Sequence, residues 1–394
     1  MSPTRTNPRA ALLRLVLRPL LFGIPFALFF TFMQGDSIRT LPAYYLVTLL
    51  FSFTIVAMVE LNRAFVVPRI LPPDRAPGHP LEIASFALAA ILGSVIAGTI
   101  LNLTVAPGMF GSTRQVITFL IFSVIFTAFF MALVYAVRWK ALLVERVEKT
   151  AREAQELRIA AEIQQALLPP RRRSGSSYEA AGASLPCRTI GGDFFEYFDF
   201  TSGRMGFALG DVAGKGPPAA ILAAMVQGIL ATHADEGPAA TLNRVNEALC
   251  RRAIEGRFAT MAYVVLDPGG MLTSCSAGHN PAVLLRANGS MERPDRGGLV
   301  LGAFDTARYE EEAIALETGD TLVLFSDGVT DAENPVGDQY GEERLLEALA
   351  GSDRRSPDEI LDRVLASVRA FAAEQPPADD VTVLVIRYGG AVPA

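Results

Sequence analysis

The chain has little sulfur, little imidazole and little charge. Its 394 residues include three cysteines, three histidines and one tryptophan, and only 19% are Asp, Glu, Lys or Arg. Cys187, Cys250 and Cys275 are an odd number with no CxxC spacing, which excludes a disulfide framework and a cysteine-based zinc site. None of them begins the C-x5-R of a cysteine phosphatase. His79, His233 and His279 do not pair at ligand spacing, so an HExxH protease is excluded as well. Any bound metal must therefore be held by carboxylates.

What charge there is falls unevenly. Residues 1–140 carry 11 Lys and Arg against 4 Asp and Glu, whereas the remainder carries 24 against 37. A cationic apolar part joined to an acidic polar part marks a membrane protein with a cytosolic domain. The acidic balance also excludes a nucleic-acid partner, since phosphate backbones need clustered cations. Four apolar stretches, about 15–33, 42–61, 83–105 and 116–139, reach the roughly 20 residues that cross a bilayer as a helix. Arginines precede the first (Arg5, Arg9, Arg14, Arg18), lie between the second and third (Arg63, Arg69, Arg75), and follow the fourth (Arg138, Arg146). The positive-inside rule then places both termini in the cytoplasm of a multi-pass protein of a bacterial inner membrane, in contact with lipid. The outward loops are too short for a sensor domain.

The expected organisation is a transmembrane domain over 1–139, a linker over 140–170 and a catalytic domain over 171–394. The linker has neither Gly nor Pro from Lys140 to Leu168 and stops at Pro169–Pro170. Leu143, Val147, Leu157 and Leu168 fall near heptad a and d positions, the pattern of a parallel coiled coil in a homodimer. A histidine kinase would carry its phosphoacceptor on this helix, and there is no histidine between His79 and His233.

Beyond the linker, apolar runs at 205–209, 259–266, 271–277, 282–285, 321–325 and 381–386 read as strands. Asp267-Pro-Gly-Gly270 and Asn288-Gly289 are hairpin turns. Helical periodicity covers 218–233, 238–253, 342–349 and 357–372. Strands and helices do not alternate, so the domain is α+β with antiparallel sheets rather than a parallel doubly wound fold. Aspartates stand at the strand ends: Asp193 after a double glycine, Asp211 opening a glycine-rich loop, Asp327 in FSDG, and Asp379 and Asp380 before the last strand. Converging carboxylates cannot all remain ionised without cations. Hard oxygen donors select Mg2+ or Mn2+, and a pair of such ions can activate water against a phosphoester.

The segments AAEIQQALLP, GGDFFEY, GDVAGKGPPAA, AGHNPAVLL, LFSDGVTDAEN with YGEERL, and DDVTVLV occur in an order that resembles the PPM (type 2C) serine/threonine phosphatases, SpoIIE/RsbU-like group. The resemblance covers about residues 156–387. It implies an antiparallel β-sandwich flanked by helices and hydrolysis of phosphoserine or phosphothreonine with two Mn2+ or Mg2+ ions. It also implies a phosphorylated anti-sigma-factor antagonist as substrate. Carried over by position, Asp193 and Asp211 hold one ion, Asp211 bridges both, the Val212 carbonyl adds an oxygen, and Asp327 and Asp379 hold the second. Gly214 and Gly216 shape the loop, Lys215 on it is a substrate-phosphate candidate, and His279 is the general-acid candidate against a loop-orienting role. Glu196 and Val300 depart from the group's usual Asp and Pro without removing a ligand. The competing class is a catalytically silent, partner-binding module. GGDFF also resembles a diguanylate cyclase motif, but Phe194 stands where that chemistry needs an acid.

Overall fold

The computed structural model describes residues 37–390, apart from 72–78, 105–106, 108–110, 253–255, 353–354, 374 and 376, with isolated positions before 37. The first expected span lies largely outside the described residues. The chain divides into two compact units, 1–149 and 150–394.

In the first unit, helix α1 (Leu41–Leu61) has Pro42 in its first turn, where a missing N–H leaves no bond unmade. It continues through a π-helical turn at Asn62–Val66 into Val67–Ile70, so Arg63 and Arg69 lie on helical backbone instead of the expected loop. Buried Asn62 donates Nδ2–H to Ser85 Oγ at 3.1 Å on helix α2 (Pro80–Thr104), which anchors that turn. The two helices pack on small residues. Ala89, Ala90, Gly93, Ser94, Ala97 and Gly98 of α2 are buried, and a Cβ at Gly93 would stand 2.8 Å from Ile55 Cα. Small side chains let helix backbones approach where burial in lipid gives no gain. Ile38–Ile70 and Pro80–Thr104 are both long and apolar enough to cross a membrane. Helix α3 (Thr113–Leu167) carries the fourth expected span and the linker in one unbroken run.

The second unit contains strands β1 (Arg172–Ser174), β2 (Tyr178–Leu185), β3 (Phe194–Asp199), β4 (Met205–Val212), β5 (Ala259–Leu266), β6 (Met271–Ala277), β7 (Val283–Leu285), β8 (Met291–Glu292), β9 (Gly297–Gly298), β10 (Glu312–Ala315), β11 (Thr321–Phe325) and β12 (Val381–Tyr388). They form two sheets, β1-β2-β12-β11-β7-β8 and β10-β6-β5-β4-β3, with β9 against β6. Every pair is antiparallel except β6–β9. The Asp267–Gly270 and Asn288–Gly289 turns make the β5–β6 and β7–β8 hairpins as expected.

Alternation along the strands sends one face of each sheet into a shared interior. Phe195, Phe207, Leu209 and Val264 meet Leu322, Leu324, Leu384 and Ile386 there. Strand β2, which its small residues hide from a hydropathy reading, is thinned by Gly182, whose missing side chain is replaced by the Phe195 ring at 2.5 Å. The outer face of the β3–β6 sheet carries helices α4 (Pro217–His233) and α5 (Pro238–Arg252). The outer face of the other sheet carries α7 (Gly341–Leu349) and α8 (Pro357–Ala372), with α6 (Asp327–Thr330) between β11 and α7. Helix α4 and its short extension are apolar and long enough to span a bilayer, yet Leu222, Val226 and Leu230 are buried in this core. A reciprocal capping box of Ser356 and Glu359 starts α8.

Replacing Gly93 by Leu should lower the thermal midpoint of the detergent-solubilised protein, because overpacking against backbone costs about 1–3 kcal/mol. Leu88→Ala, at an exposed position of the same helix, should leave that midpoint nearly unchanged.

Candidate metal centre

Register alone gathers the aspartates at one end of each sheet. Phe194 pairs with Gly210, which sets Asp193 beside Asp211 across the β3–β4 ladder. Phe325 pairs with Val383, which brings Asp327 alongside the residues that precede β12. The two sheets are then tied together. Asp380 Oδ2 accepts the Gly192 N–H and Oδ1 accepts the Cys187 N–H, both at 2.7 Å. Ser326 accepts the Thr382 N–H at 2.9 Å and donates its hydroxyl to the Asp380 carbonyl at 3.1 Å.

Close backbone contact requires the glycines. A Cβ at Gly192 would lie 2.6 Å from the Val212 carbonyl oxygen, and one at Gly328 would lie 2.0 Å from the Asp380 carbonyl oxygen. The double glycine before Asp193 and the glycine after Asp327 are therefore consequences of how tightly these segments cross.

The carboxylates raise one another's proton affinity. Burial first, then the Asp211 charge, holds Asp193 well above the usual carboxylate range. Burial and then Asp327 push Asp211 up to about 6, with Asp379 and Asp380 adding to the rise. Asp327 is raised by burial and then by Asp379. Asp193 is buried, and among the described residues its Oδ2 has no hydrogen-bond partner. The hydroxyls of Ser326 and Thr382 face it, but they donate to the Asp380 carbonyl and to Ser184 Oγ. A buried carboxylate oxygen without a donor, facing further carboxylates, is a donor set built for cations. The residues present thus fit the divalent ions that the sequence implied.

Asp379 and Asp380 are used differently. Both oxygens of Asp380 are taken by backbone N–H groups, whereas Asp379 Oδ2 meets Lys215 Nζ at 2.9 Å. Lys215 also donates to the Ala378 carbonyl. Its loop, carrying Gly214 (φ +104°) and Gly216 (φ +76°), turns from β4 into α4. One side-chain atom each of Cys187, Asp379 and Asp380 lie within 4.8 Å of one another. Burial, followed by Asp380, pushes the Cys187 thiol up to about 11, so it adds no charge at neutral pH.

His279 lies buried beneath this edge with both ring nitrogens engaged. Nε2 donates to the Phe325 carbonyl at 3.1 Å, and Nδ1 is 2.7 Å from Thr260 Oγ1. Burial lowers its pKa to about 4, so the ring is neutral at pH 7 and Nδ1 accepts the Thr260 hydroxyl. Thr260 itself pairs with Asp211 across β4–β5. The histidine therefore braces the strand ends that carry Asp211 and Asp327.

Arg257 and Arg188 escape sequence reasoning, whereas Gln164 lies in the AAEIQQALLP segment that carries part of the resemblance. Gln164, at the end of α3, donates Nε2–H to the Gly191 carbonyl at 2.8 Å and accepts the Gly191 N–H at 3.2 Å. Arg257 donates to the Ala213 carbonyl at 2.8 Å. Arg188, five residues before Asp193, is exposed. The Ser326 position also lies in a segment of the resemblance, LFSDGVTDAEN.

Comparison with known proteins agrees with this geometry. Residues 201–389 match the family model described as Stage II sporulation protein E (SpoIIE). This stretch is a SpoIIE-family domain. The chain is similar to phosphoserine phosphatase RsbU of Bacillus subtilis, with 29% identity over 239 residues, 59% of this chain and 70% of that protein. It is also similar to protein IcfG of Synechocystis, with 25% identity over 261 residues. That similarity covers 59% of this chain but only 41% of IcfG. Among solved structures, the SiaA-PP2C domain of Pseudomonas aeruginosa matches with a TM-score of 0.53 and 22% identity, covering 60% of this chain and 98% of that domain. The SpoIIE-family domain thus has the PP2C fold, the antiparallel sandwich flanked by helices.

A carboxylate whose pKa is raised on folding stabilises the folded state below its unfolded value, and that contribution is lost as pH rises through the folded value. The metal-free protein should therefore melt at a higher temperature at pH 5 than at pH 7.5, and Mn2+ should recover the loss at pH 7.5. Thermal melts in EDTA check this, and Asp211→Asn should flatten the dependence. A metal-free midpoint that is level from pH 5 to 7.5 would contradict the shared carboxylate site.

Proposed function

We propose that this chain is a metal-dependent protein serine/threonine phosphatase anchored in a bacterial inner membrane. The observation that carries the proposal is the buried, donorless Oδ2 of Asp193 facing Asp211 in a group completed by Asp327 and Asp379. Two Mn2+ or Mg2+ ions fit this group. Asp193 and Asp211 would hold the first with the Val212 carbonyl, Asp211 would serve both, and Asp327 and Asp379 would hold the second. Ions bound there supply Lewis acidity toward the phosphoryl oxygens and lower the pKa of bound water.

The chain's own residues do the positioning. Asp380 fixes the Gly191–Asp193 turn through the Gly192 N–H, leaving Asp379 as the ligand of the pair. Lys215 steadies Asp379 and stands on the substrate loop between Gly214 and Gly216. We assign His279 the bracing role: a neutral, buried ring already donating to a backbone carbonyl has no proton placed for a leaving group.

The substrate reading rests on likeness. The relative from Bacillus subtilis is by name a phosphoserine phosphatase, and the SpoIIE-type motifs extend that reading here to a phosphorylated anti-sigma-factor antagonist. The apolar helices Ile38–Ile70 and Pro80–Thr104 support membrane anchoring, with both termini cytoplasmic by the arginine distribution. The exposed apolar positions Leu143, Val147 and Leu157 along α3 suit a linker coiled coil between two copies. The Gln164 amide, closed on both backbone groups of Gly191 two residues before Asp193, gives that linker a route to the metal centre.

Phosphate release from a phosphoserine protein by the full-length chain in detergent should require Mn2+ or Mg2+ and stop in EDTA. Asp211→Asn should lower the rate at least about 100-fold, more than the loss of a residue that only orients a ligand. A folded protein that binds Mn2+ without turnover on any phosphoprotein would favour a silent binding module. Separately, Gln164→Ala, or one residue inserted near Ala154, should change the basal rate several-fold. Equal rates would detach the linker from the active site.

A further inference from the structure

Resting on the phosphatase reading, we propose that Phe258 is a specificity-determining residue whose ring takes an apolar side chain of the substrate protein, two positions from the phosphorylated serine or threonine. Register places Phe258 beside the carboxylate centre. Asp211 pairs with Thr260 across β4–β5. The ladder runs on past Val212 and Ala259, because the Ala213 N–H donates to the Phe258 carbonyl at 2.9 Å. Directly paired residues share a face, and side chains alternate along each strand. Asp211, Thr260, Ala213 and Phe258 therefore stand on one face, whose inner positions Leu209, Ala262 and Val264 line the interior between the sheets. Phe258 is thus the diagonal neighbour of Asp211, at about 7–8 Å and within reach of an aromatic side chain.

Along β5 this face passes from buried Val264 and Ala262, through half-buried Thr260, to Phe258, which is 40% exposed. Its partner across the ladder is Ala213, whose methyl group covers little of the ring. A second apolar side chain adjoins. The Ala259–Leu301 bridge brings Val300 alongside, and a Cβ at Gly278 would stand 2.7 Å from Val300 Cγ1. Val300 therefore lies over the residue before His279, the ring that bonds Thr260. A singly exposed apolar residue is ordinary on a protein surface; Phe258 differs in bordering a carboxylate of the metal centre. An extended substrate chain rises about 6.6–6.8 Å per two residues, the same step that separates Thr260 from Phe258 on β5. With its phosphate at the carboxylates, such a chain sets the side chain two residues away over the ring. An acidic side chain there faces repulsion from the aspartates, whereas an apolar one buries area on the ring.

Phe258 has a competing role as a prop for the β4–β5 edge that never meets substrate, and measurements on the full-length protein in detergent with Mn2+ separate the two. The substrates are phosphoserine peptides of equal charge, with Leu or Ala two residues before or after the phosphoserine, and p-nitrophenyl phosphate, which has no neighbouring residue. At one of those positions wild type should show kcat/KM about 5- to 50-fold higher for Leu than for Ala, as partial burial of the larger side chain gives. Phe258→Ala should bring that ratio close to one and Phe258→Leu should retain part of it. In Phe258→Ala, p-nitrophenyl phosphate turnover and Mn2+ affinity by calorimetry should stay within about twofold of wild type, as for a surface substitution. Met271, 43% exposed at the far, Asp267–Gly270 end of the β5–β6 hairpin, is the comparison, and Met271→Ala should keep the full ratio. No preference in wild type at either position overturns the proposal, as does a Phe258→Ala protein that keeps the preference. A fall in ester turnover or Mn2+ affinity in Phe258→Ala as large as its loss on the Leu peptide also overturns it and leaves the prop. A wild type that hydrolyses the ester but none of the peptides overturns this inference alone. A folded wild type that hydrolyses no phosphoester overturns the phosphatase reading and this inference with it.

Discussion

Four carboxylates held together at one edge of a β-sandwich repel one another, and most of the local structure accommodates that repulsion. Folding brings Asp193 and Asp211 from one sheet against Asp327 and Asp379 from the other, and burial, full at Asp193 and partial at the others, removes part of the water that would screen them. The cost appears as raised proton affinity at Asp193, Asp211 and Asp327. Protons relieve it as pH falls, and divalent cations bound there would relieve it at neutral pH. Carboxylates crowded in this way destabilise the bare fold at neutral pH, so the surrounding framework must hold them in place.

That stiffness comes from hydrogen bonds between segments distant in sequence. Asp380 takes two backbone N–H groups from 187–192, Ser326 is tied to Thr382 and Asp380, and His279 joins Thr260 to the Phe325 carbonyl. Apart from the half-buried Cys187 and Thr260 the partners are buried, so most of these bonds are made where leaving them unmade is costly. The glycines follow from the same crowding. Gly192 and Gly328 stand where backbone carbonyls of other segments pass within 2.6 Å and 2.0 Å of an absent Cβ. The interior between the sheets supplies the hydrophobic burial that holds the crowded edge closed.

Hydropathy served the two units unequally. In the first, a run of apolar residues and a helix coincide, because a lipid-facing helix needs no polar face. In the second, the same signal marks α4, whose apolar side chains are divided between the protein core and an exposed face. Composition cannot distinguish a helix buried by lipid from one buried by sheet. The π-helical turn at Asn62–Val66 escaped for a related reason: its support is a side-chain bond from Asn62 to Ser85 on the next helix.

Much of the site was legible before any coordinates. Aspartates next to glycine at strand ends, hairpin turns at Asp267–Gly270 and Asn288–Gly289, and a helix ended by Pro169–Pro170 are local patterns, and local patterns depend on residues a few positions apart. The sequence therefore determined which carboxylates stand at the strand ends, the antiparallel character of the sheets and the apolar helices of the first unit. Only the tertiary structure decided how those residues divide the work. Asp379 and Asp380 are adjacent and chemically identical, and they are told apart by the N–H groups of Cys187 and Gly192. His279 is an acid–base residue by type, and it becomes a neutral brace through Thr260 and Phe325. Arg257 looks like an ordinary surface residue until folding sets it against Ala213, and Gln164, though its segment carries the resemblance, finds its partner Gly191 only in the fold. Protonation and hydrogen-bond capacity are fixed by neighbours in space, and the chain brings those neighbours together only when the two sheets close.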